Sequence, residues 1–315
     1  MAVIVCSYSM QRYNFVREAI QSLLNQSRPA DEIILVVSGS RELQEHVSRD
    51  YRTNKDIRIV FSEKPLNASA ARNRGISETS CDILLFTDDD VVAHPDWVKN
   101  IINSYAGQQV LGVGGNILPE WLGEKPRYLP EELFWLVGAV HESLFPEVAA
   151  EVRNVFGPNM SFRRTVFEQV GYFNEQLSFA GGGKSNIQGE EPEFGIRMLH
   201  KLGRGVIYNP EAIIYHKVPP AKYKLSALFR RSFYQGYTKS LMPKYKGSVS
   251  RLAAERDYFK ILYKKYIPQH IKGMFCGRDR INQLKKICVL QTSVILTGLG
   301  YLYGLARNRQ AVTKD

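Results

Sequence analysis

Short apolar runs and helical periodicities alternate along the first third of the chain. Residues 2–6, 33–37, 57–61 and 83–87 are apolar stretches of strand length with no polar alternation, the pattern of strands buried on both faces. Between them, residues 13–25 carry Phe15, Ala19, Ile20, Leu23 and Leu24 at helical spacing, and 67–77 carry the small residues Ala68, Ala70 and Ala71. Pro95 suits the first turn of a helix over 95–105, and 110–114 reads as a fifth strand. This alternation predicts an α/β fold: a mostly parallel central sheet, flanked by helices and joined by right-handed crossovers.

From 119 to 158 the pattern breaks into segments rich in Pro and aromatic residues, among them Trp121, Phe134 and Trp135, which read as an insertion with one helix near 131–140. These aromatics are read as the core of a lid in preference to a sugar platform. Order returns with a strand at 159–162, a helix at 165–170, a flexible glycine loop at 179–183, a helix at 190–202, and strands at 205–208 and 212–215. After His216 the chain turns helical, through 221–239, 251–266 and 280–306. The expected division is an α/β domain over 1–220 and a helical appendage over 221–315.

Charge sharpens that division. Residues 1–216 hold 21 Lys/Arg and 27 Asp/Glu, whereas 217–315 hold 21 and 4, so a net of −6 is joined to a net of +17. A tail of that sign suits a polyanion, either nucleic acid or an anionic membrane face. The four cysteines show no CxxC spacing and read as reduced thiols of a cytosolic protein, and Met1 leads straight into the first strand with no secretory leader.

Candidate chemistry gathers at two acidic clusters. Asp88-Asp89-Asp90 ends the fourth strand, at the carboxyl edge where open α/β sheets bind ligands. Hard carboxylate oxygens there suit Mg²⁺ or Mn²⁺, which keep positions open for substrate phosphates. Alone, the triplet reads more readily as an acidic loop after a strand. The second cluster, Glu190-Glu191-Pro192-Glu193, follows the glycine loop, and its plain reading is a helix start complementing the macrodipole. Together the two supply what group transfer from a diphosphate donor requires: an ion for the leaving group and a carboxylate to take a proton from an attacking hydroxyl.

Six stretches in order carry a resemblance: Val3 to Tyr8; Ser69-Ala70-Ala71-Arg72-Asn73-Arg74-Gly75; Phe86 to Asp90; Gly157-Pro158-Asn159-Met160-Ser161-Phe162-Arg163; Glu190 to Phe194 followed by Arg197; and Asn209-Pro210-Glu211-Ala212 leading to His216. Over residues 1–220 the chain resembles family 2 glycosyltransferases of the GT-A (Rossmann-like) fold. The resemblance implies an inverting, metal-dependent transfer of sugar from a nucleotide-diphospho-sugar, UDP favoured, to a hydroxyl acceptor. It implicates Ser7, Tyr8, Arg72 and Asn73 in donor binding. It aligns Asp88 and Asp90 with the DxD motif, with Asp90 as the direct metal ligand, Asp88 at the ribose or the ion, and Asp89 beside them on the donor. It makes Glu191 the base, with Glu190 or Glu193 as substitutes. Where the family often carries Asp-Asp-Gly-Ser, this chain has Val37-Ser38-Gly39-Ser40, so Ser38 stands where a carboxylate would meet the base. His216 reads as a packed histidine or as a third metal ligand or diphosphate contact. Asn159, Met160 and Ser161 are expected to line the acceptor pocket, or simply to turn into a strand.

Residues 287–306 carry no charge and are long enough to span a bilayer, but Gln291, Thr292, Ser293 and Thr297 dilute the run and Gly298, Gly300 and Gly304 suit close helix packing. A helix buried in the protein or lying on the cytoplasmic membrane face is expected over a span. The cations upstream, Lys222 to Lys246, alternate with aromatic residues and suit anionic lipid, or form a solvated basic face. The tail around 228–239 also resembles enzymes that extend polyprenyl- or dolichyl-phosphate-linked glycans, which implies a lipid-linked acceptor. The competing readings are a nucleotidyltransferase, disfavoured because no glycine-rich phosphate loop follows the first strand, a non-catalytic membrane scaffold on a degenerate fold, and nucleic-acid binding, for which the tail has no recognition module.

Overall fold

Ala2, Val3, Ile4 and Val5 are all fully buried, as expected of an interior strand with helices on both faces. The computed structural model describes residues 1–178, 187–242, 253–276 and 279–312. The glycine loop expected at 179–183, and Lys244, Lys246 and Arg251, lie outside the described residues. The strands are β1 (Ala2–Ser7), β2 (Glu32–Ser38), β3 (Ile57–Ser62), β4 (Ile83–Asp88), β5 (Val91–Ala93), β6 (Gly112–Trp121), β7 (Ala150–Val152), β8 (Met160–Arg163) and β9 (Val206–Val218). They form one sheet in the order β3-β2-β1-β4-β8-β6-β9-β5, with β7 paired to β9. The run β3-β2-β1-β4 is parallel, as the strand–helix alternation requires. Beyond β4 the sheet turns antiparallel: β8 pairs against β4 and β6, and β9 against β5 and β7.

The helices are α1 (Tyr13–Leu24), α2 (Arg41–Tyr51), α3 (Ala68–Ser77), α4 (Trp97–Asn103), α5 (Arg164–Val170), α6 (Glu190–Leu202), α7 (Pro220–Tyr223), α8 (Leu225–Leu241), α9 (Ala253–Ile261), α10 (Ile267–Cys276) and α11 (Arg280–Val312). Two of these boundaries have clear side-chain causes. Ser40 caps α2 by accepting from Leu43 N–H, and Asn67 caps α3 by accepting from Ala70 N–H. The small face of α3 lets it lie directly on β1, since a Cβ on Gly75 would come within 2.5 Å of Ile4 Cγ2. That close seat holds Arg72, about one turn earlier on α3, against Asp88 at the carboxyl edge of the sheet.

Contacts divide the chain into two compact units: Met1–Leu118 with Val148–Asn186 and Glu190–His216, and Pro119–Glu147 with Ile187–Gly189 and Lys217–Asp315. The first holds the strand–helix alternation. The second has its own apolar core, in which Leu129, Leu133, Phe134 and Val137 pack with Leu228, Leu262, Tyr266 and Leu290. Trp121 packs edge-on against Phe134 and Tyr223, with ring centroids 5.5 Å apart in both cases, so these aromatics are core, as expected. The helix expected at 131–140 is a shorter 3-10 segment, Glu131–Val137, stopped by Gly138 at φ 83°. The two strands expected at 205–208 and 212–215 are one, β9, running through Asn209-Pro210.

Candidate active site

The carboxyl ends of β1 and β4 lie side by side, with Cys6 opposite Asp88. After β1, Ser9 caps the 3-10 turn Met10–Arg12, and that turn returns Arg12 toward the acidic triplet. Arg12 donates from Nε to both oxygens of Asp89, 2.8 Å each, and its Nη2 also contacts Asp89. The same Nη2 lies 2.8 Å from Asp90 Oδ2. The Ser7 hydroxyl donates to Asp89 as well. Burial pushes the Asp89 carboxyl up to about 6, against the opposing pull of the Arg12 guanidinium. Asp90 meets a second group from the far edge of the sheet. β5 pairs antiparallel with β9, setting Val91 opposite His216, and His216 Nε2 lies 3.5 Å from Asp90 Oδ2.

The second acidic cluster arrives on the first turn of α6, and Arg72 joins it to the first. Nη2 of Arg72 lies 3.2 Å from Asp88 Oδ1, while Nη1 lies 3.4 Å from Glu190 Oε1 and 3.8 Å from Glu191 Oε1. Burial works against the charge on Arg72, but Asp88, Glu191 and Glu190 outweigh it and hold the guanidinium firmly protonated. The three glutamates differ in freedom. Glu193 is forked by its i+4 neighbour Arg197, at 2.9 Å from both Nε and Nη2, and Glu190 is buried against Arg72. Glu191 is the most open of the three, its side chain 17% exposed against 4% and 3% for Glu190 and Glu193. Gly157 N–H donates to Glu191 Oε1 at 3.1 Å, which fixes one oxygen and orients the carboxylate.

The other residues expected at the site fall into two groups. Tyr8 is exposed beside Arg12, whose Cζ stands 5.5 Å from the ring centroid, and Ser38 ends β2 in a buried position just before Gly39. Asn73 instead spends its amide on the 173–175 turn, donating to Phe173 O and Glu175 Oε1 and accepting from Phe173 N–H. Asn159, Met160 and Ser161 lie inside the sheet, no more than 1% exposed. Asn159 accepts from Trp97 Nε1 and donates to Asn116 O and Ala212 O, and Ser161 bonds Val113 O and Tyr105. The reason is register: β8 pairs on both sides, with β4 and β6, so these residues brace the sheet beneath the site.

Among the described residues no three His, Cys, Asp or Glu side chains group as a metal cage. Of the three expected ligands, Asp90 and His216 come together, whereas Asp88 Oδ1 faces Arg72. A carboxylate oxygen and an imidazole nitrogen 3.5 Å apart, both nearly buried, form a donor pair that suits Mn²⁺ or Mg²⁺ with the remaining positions left to phosphate oxygens and water. The residues present therefore fit such an ion as a two-point site.

Sequence reasoning missed Arg12, and it met Gly157 only as the first residue of a motif stretch, without its contact to Glu191. Arg12 stands alone between the first strand and helix with no motif around it. Gly157 looks like any turn glycine, yet a Cβ there would fall 2.5 Å from Glu191 Oε1 and collide with Arg72 Nη2. Neither signal is visible without the partners.

Residues 2–171 match the family model described as glycosyl transferase family 2. A glucosyl-dolichyl phosphate glucuronosyltransferase of Haloferax volcanii is 32% identical over 306 residues, 97% of this chain and 96% of that protein. The succinoglycan biosynthesis protein ExoM of Rhizobium meliloti is 25% identical over 74% of this chain and 72% of its own. Among solved structures, a mannosyltransferase from Pyrobaculum calidifontis in complex with GDP-Man and Mn²⁺ superposes with a TM-score of 0.62, at 15% identity, over 96% of this chain and 86% of that one. S. aureus TarS 1-349 in complex with UDP-GlcNAc gives 0.54, at 14% identity, over 98% and 91%. The sheet and its flanking helices are thus those of the GT-A fold, and by its sequence the chain belongs to glycosyltransferase family 2.

Proposed function

We propose that this enzyme transfers a sugar, with inversion, from a nucleotide-diphospho-sugar to a hydroxyl of a phospholipid-linked glycan of the polyprenyl or dolichyl type. The observation that carries the reading is the Arg72 bridge, which sets Asp88 and the Glu190–Glu191 pair around one cation although they are about a hundred residues apart. The acceptor class is supported by the full-length similarity to the Haloferax volcanii protein and by that protein's name.

In this reading Glu191 is the base. Its Oε1 is held by Gly157 N–H, so its second oxygen is the one that takes the acceptor's proton. The acceptor oxygen then bonds to the anomeric carbon on the face opposite the diphosphate, and the bond from that carbon to the diphosphate oxygen breaks. Glu190 and Arg72 orient Glu191, and holding the reactants in line supplies much of the acceleration. Asp90 and His216 would hold Mn²⁺ or Mg²⁺, which when bound neutralises charge on the leaving diphosphate. Tyr8 and Ser38 flank the position of the base, with uracil favoured.

The enzyme is further proposed to work at the cytoplasmic membrane face. Ile281, Leu284, Cys288, Ile295, Leu299 and Leu302 fall on one stripe of α11 and are all exposed. The stretch 280–307 contains an 18-residue window of mean hydropathy 1.4 and is by length and composition able to cross a membrane. The stripe and the flanking cations suit a helix lying in the interface.

The test is a thermal-shift screen of nucleotide-sugars with and without Mn²⁺, followed by transfer to a polyprenyl-phosphate-linked glycan in detergent, read by mass spectrometry. Glu191→Gln is expected to keep donor binding and abolish product. Full turnover in that variant moves the base elsewhere, and product with retained anomeric configuration rejects the inverting route. Leu299→Glu with Leu302→Glu is expected to release the protein from liposomes, and unchanged sedimentation rejects the interfacial helix.

A further inference from the structure

Arg12 and His216 both face the same oxygen, Asp90 Oδ2, at 2.8 and 3.5 Å. That oxygen is the one an ion shared with His216 must use. Arg12 is firmly anchored elsewhere, because its Nε forks both oxygens of the buried Asp89 and Ser7 holds that carboxylate from the other side. The guanidinium therefore has one strong fixed contact and one exchangeable contact. Its side chain is 22% exposed, so Nη2 has room to withdraw from Asp90 without leaving Asp89. A guanidinium cannot lose its proton at any working pH, and it repels a divalent cation brought to the same oxygen.

We infer that Arg12 is a positioning residue that occupies the ion's place on Asp90 and so sets the affinity of the Asp90–His216 pair for a divalent cation. Without the ion it supplies positive charge against both Asp89 and Asp90. Ion entry exchanges one charge-assisted contact, Arg12 to Asp90, for another. The fork to Asp89 then keeps the guanidinium beside the ion's position, where it adds positive charge facing the donor's diphosphate. This inference rests on the assignment of Asp90 and His216 as the ion's ligands.

The experiment measures Mn²⁺ binding to the full-length protein without donor, near pH 8, from the electron paramagnetic resonance signal of free Mn²⁺. Arg12→Gln, whose amide still donates to Asp89, is expected to bind Mn²⁺ at least about fivefold more tightly than wild type, the scale of one lost charge-assisted contact. Arg12→Lys, which keeps the charge, is expected to stay within about twofold of wild type. Equal or weaker binding by Arg12→Gln overturns the inference, as does the absence of binding in both it and wild type. The wild-type protein gives a second readout that does not depend on how the variants fold: the Arg12 Nε–H resonance is expected to shift on titration with diamagnetic Mg²⁺, and a resonance that stays put while Mg²⁺ binds overturns the exchange. Asp90→Asn separates the two layers. If it leaves Mn²⁺ binding intact, the ligand assignment has failed. If it abolishes binding while Arg12→Gln changes nothing, the role of Arg12 alone has failed.

Discussion

Gly157 gives its backbone N–H to Glu191 Oε1 at 3.1 Å, and the absence of a side chain on Gly157 is what allows the approach. A methyl group there would lie 2.5 Å from that oxygen and against Arg72 Nη2, both on charged side chains rather than backbone. The backbone of Gly157 is not in the left-handed region, so alanine is tolerated conformationally. Gly157→Ala is therefore expected to displace the carboxylate and lower kcat by about 10²-fold, the scale of a misplacement of about 1 Å, with little change in donor affinity. Steady-state kinetics beside donor calorimetry checks it, and a parallel loss of donor binding would show that the methyl group disturbs more than the base.

Arg72 carries a different load. It is the cation shared by Asp88, Glu190 and Glu191, and both it and Glu190 are buried. Removing it leaves carboxylates facing one another without a counter-charge, which costs about 3–5 kcal/mol when a buried partner is lost. Arg72→Ala is expected to lower the unfolding free energy, measured by urea denaturation at neutral pH, by that amount. Arg72→Lys keeps the charge but not the two-pronged reach, and is expected to recover most of the stability and little of the activity.

In the second unit a histidine couples stability to pH. His270 Nε2 lies 3.3 Å from Glu132 Oε1, and Nδ1 contacts Gln283 Oε1 at 2.7 Å. The hydrogen bond that His270 donates to Glu132 raises the His270 pKa above 6.5, outweighing burial. A raised folded-state value means that the folded protein binds the proton more tightly than the unfolded chain. The contribution is then complete below the unfolded value of 6.5 and disappears as the pH rises through the folded one. His270→Gln is expected to destabilise by about 1 kcal/mol at pH 5.5 and by much less at pH 9, after allowance for partial solvent screening. Urea unfolding of both proteins at the two pH values measures it, and a constant difference would mean that the pair acts by packing alone.

How much of this was legible in the sequence depends on the range of the interactions. The parallel half of the sheet was readable because its strands are apolar throughout, and β1, β2, β3 and β4 begin and end within a residue of the expected limits. The transferase assignment was readable from the ordered motifs, and the family match is to glycosyltransferases, not to nucleotidyltransferases. Helix α2 was missed because it buries only Leu43 and Val47, and β5 because three residues carry no period. Strands were expected near β6, β8 and β9, but their antiparallel order was not readable, because β8 and β6 owe their places to pairing, which is a property of the partners. Asn159 and Ser161, expected either at the acceptor pocket or in a turn into a strand, belong to a buried hydrogen-bond frame that only the partner strands define. Charge pairs such as Arg12 with Asp89 join residues 77 apart, a relation that no local pattern announces.

The glycines of α11 are read correctly only with their neighbours in place. Gly300 and Gly304 face α8: a Cβ on Gly300 would strike the carbonyl oxygen of Phe233, and one on Gly304 the hydroxyl of Ser240. Across the same seam a Cβ on Gly236 would strike the carbonyl oxygen of Thr297, and Thr297 Oγ1 donates to Ser232 O at 3.0 Å. The two helices therefore touch backbone to backbone, the small-residue packing that glycine permits. Gly298 faces away, with nothing within 4 Å of its would-be Cβ. The same chemical change should then have opposite signs two residues apart. Gly300→Ala is expected to force α11 off α8 and cost about 1–3 kcal/mol, the range for overpacking. Gly298→Ala is expected to stabilise by up to about 1 kcal/mol, because alanine loses less backbone freedom in a helix. Chemical unfolding in detergent, with limited proteolysis at the ends of α11, distinguishes them. If both substitutions stabilise, α11 is not seated on α8 in solution, and the seam is not what holds this helix to its unit.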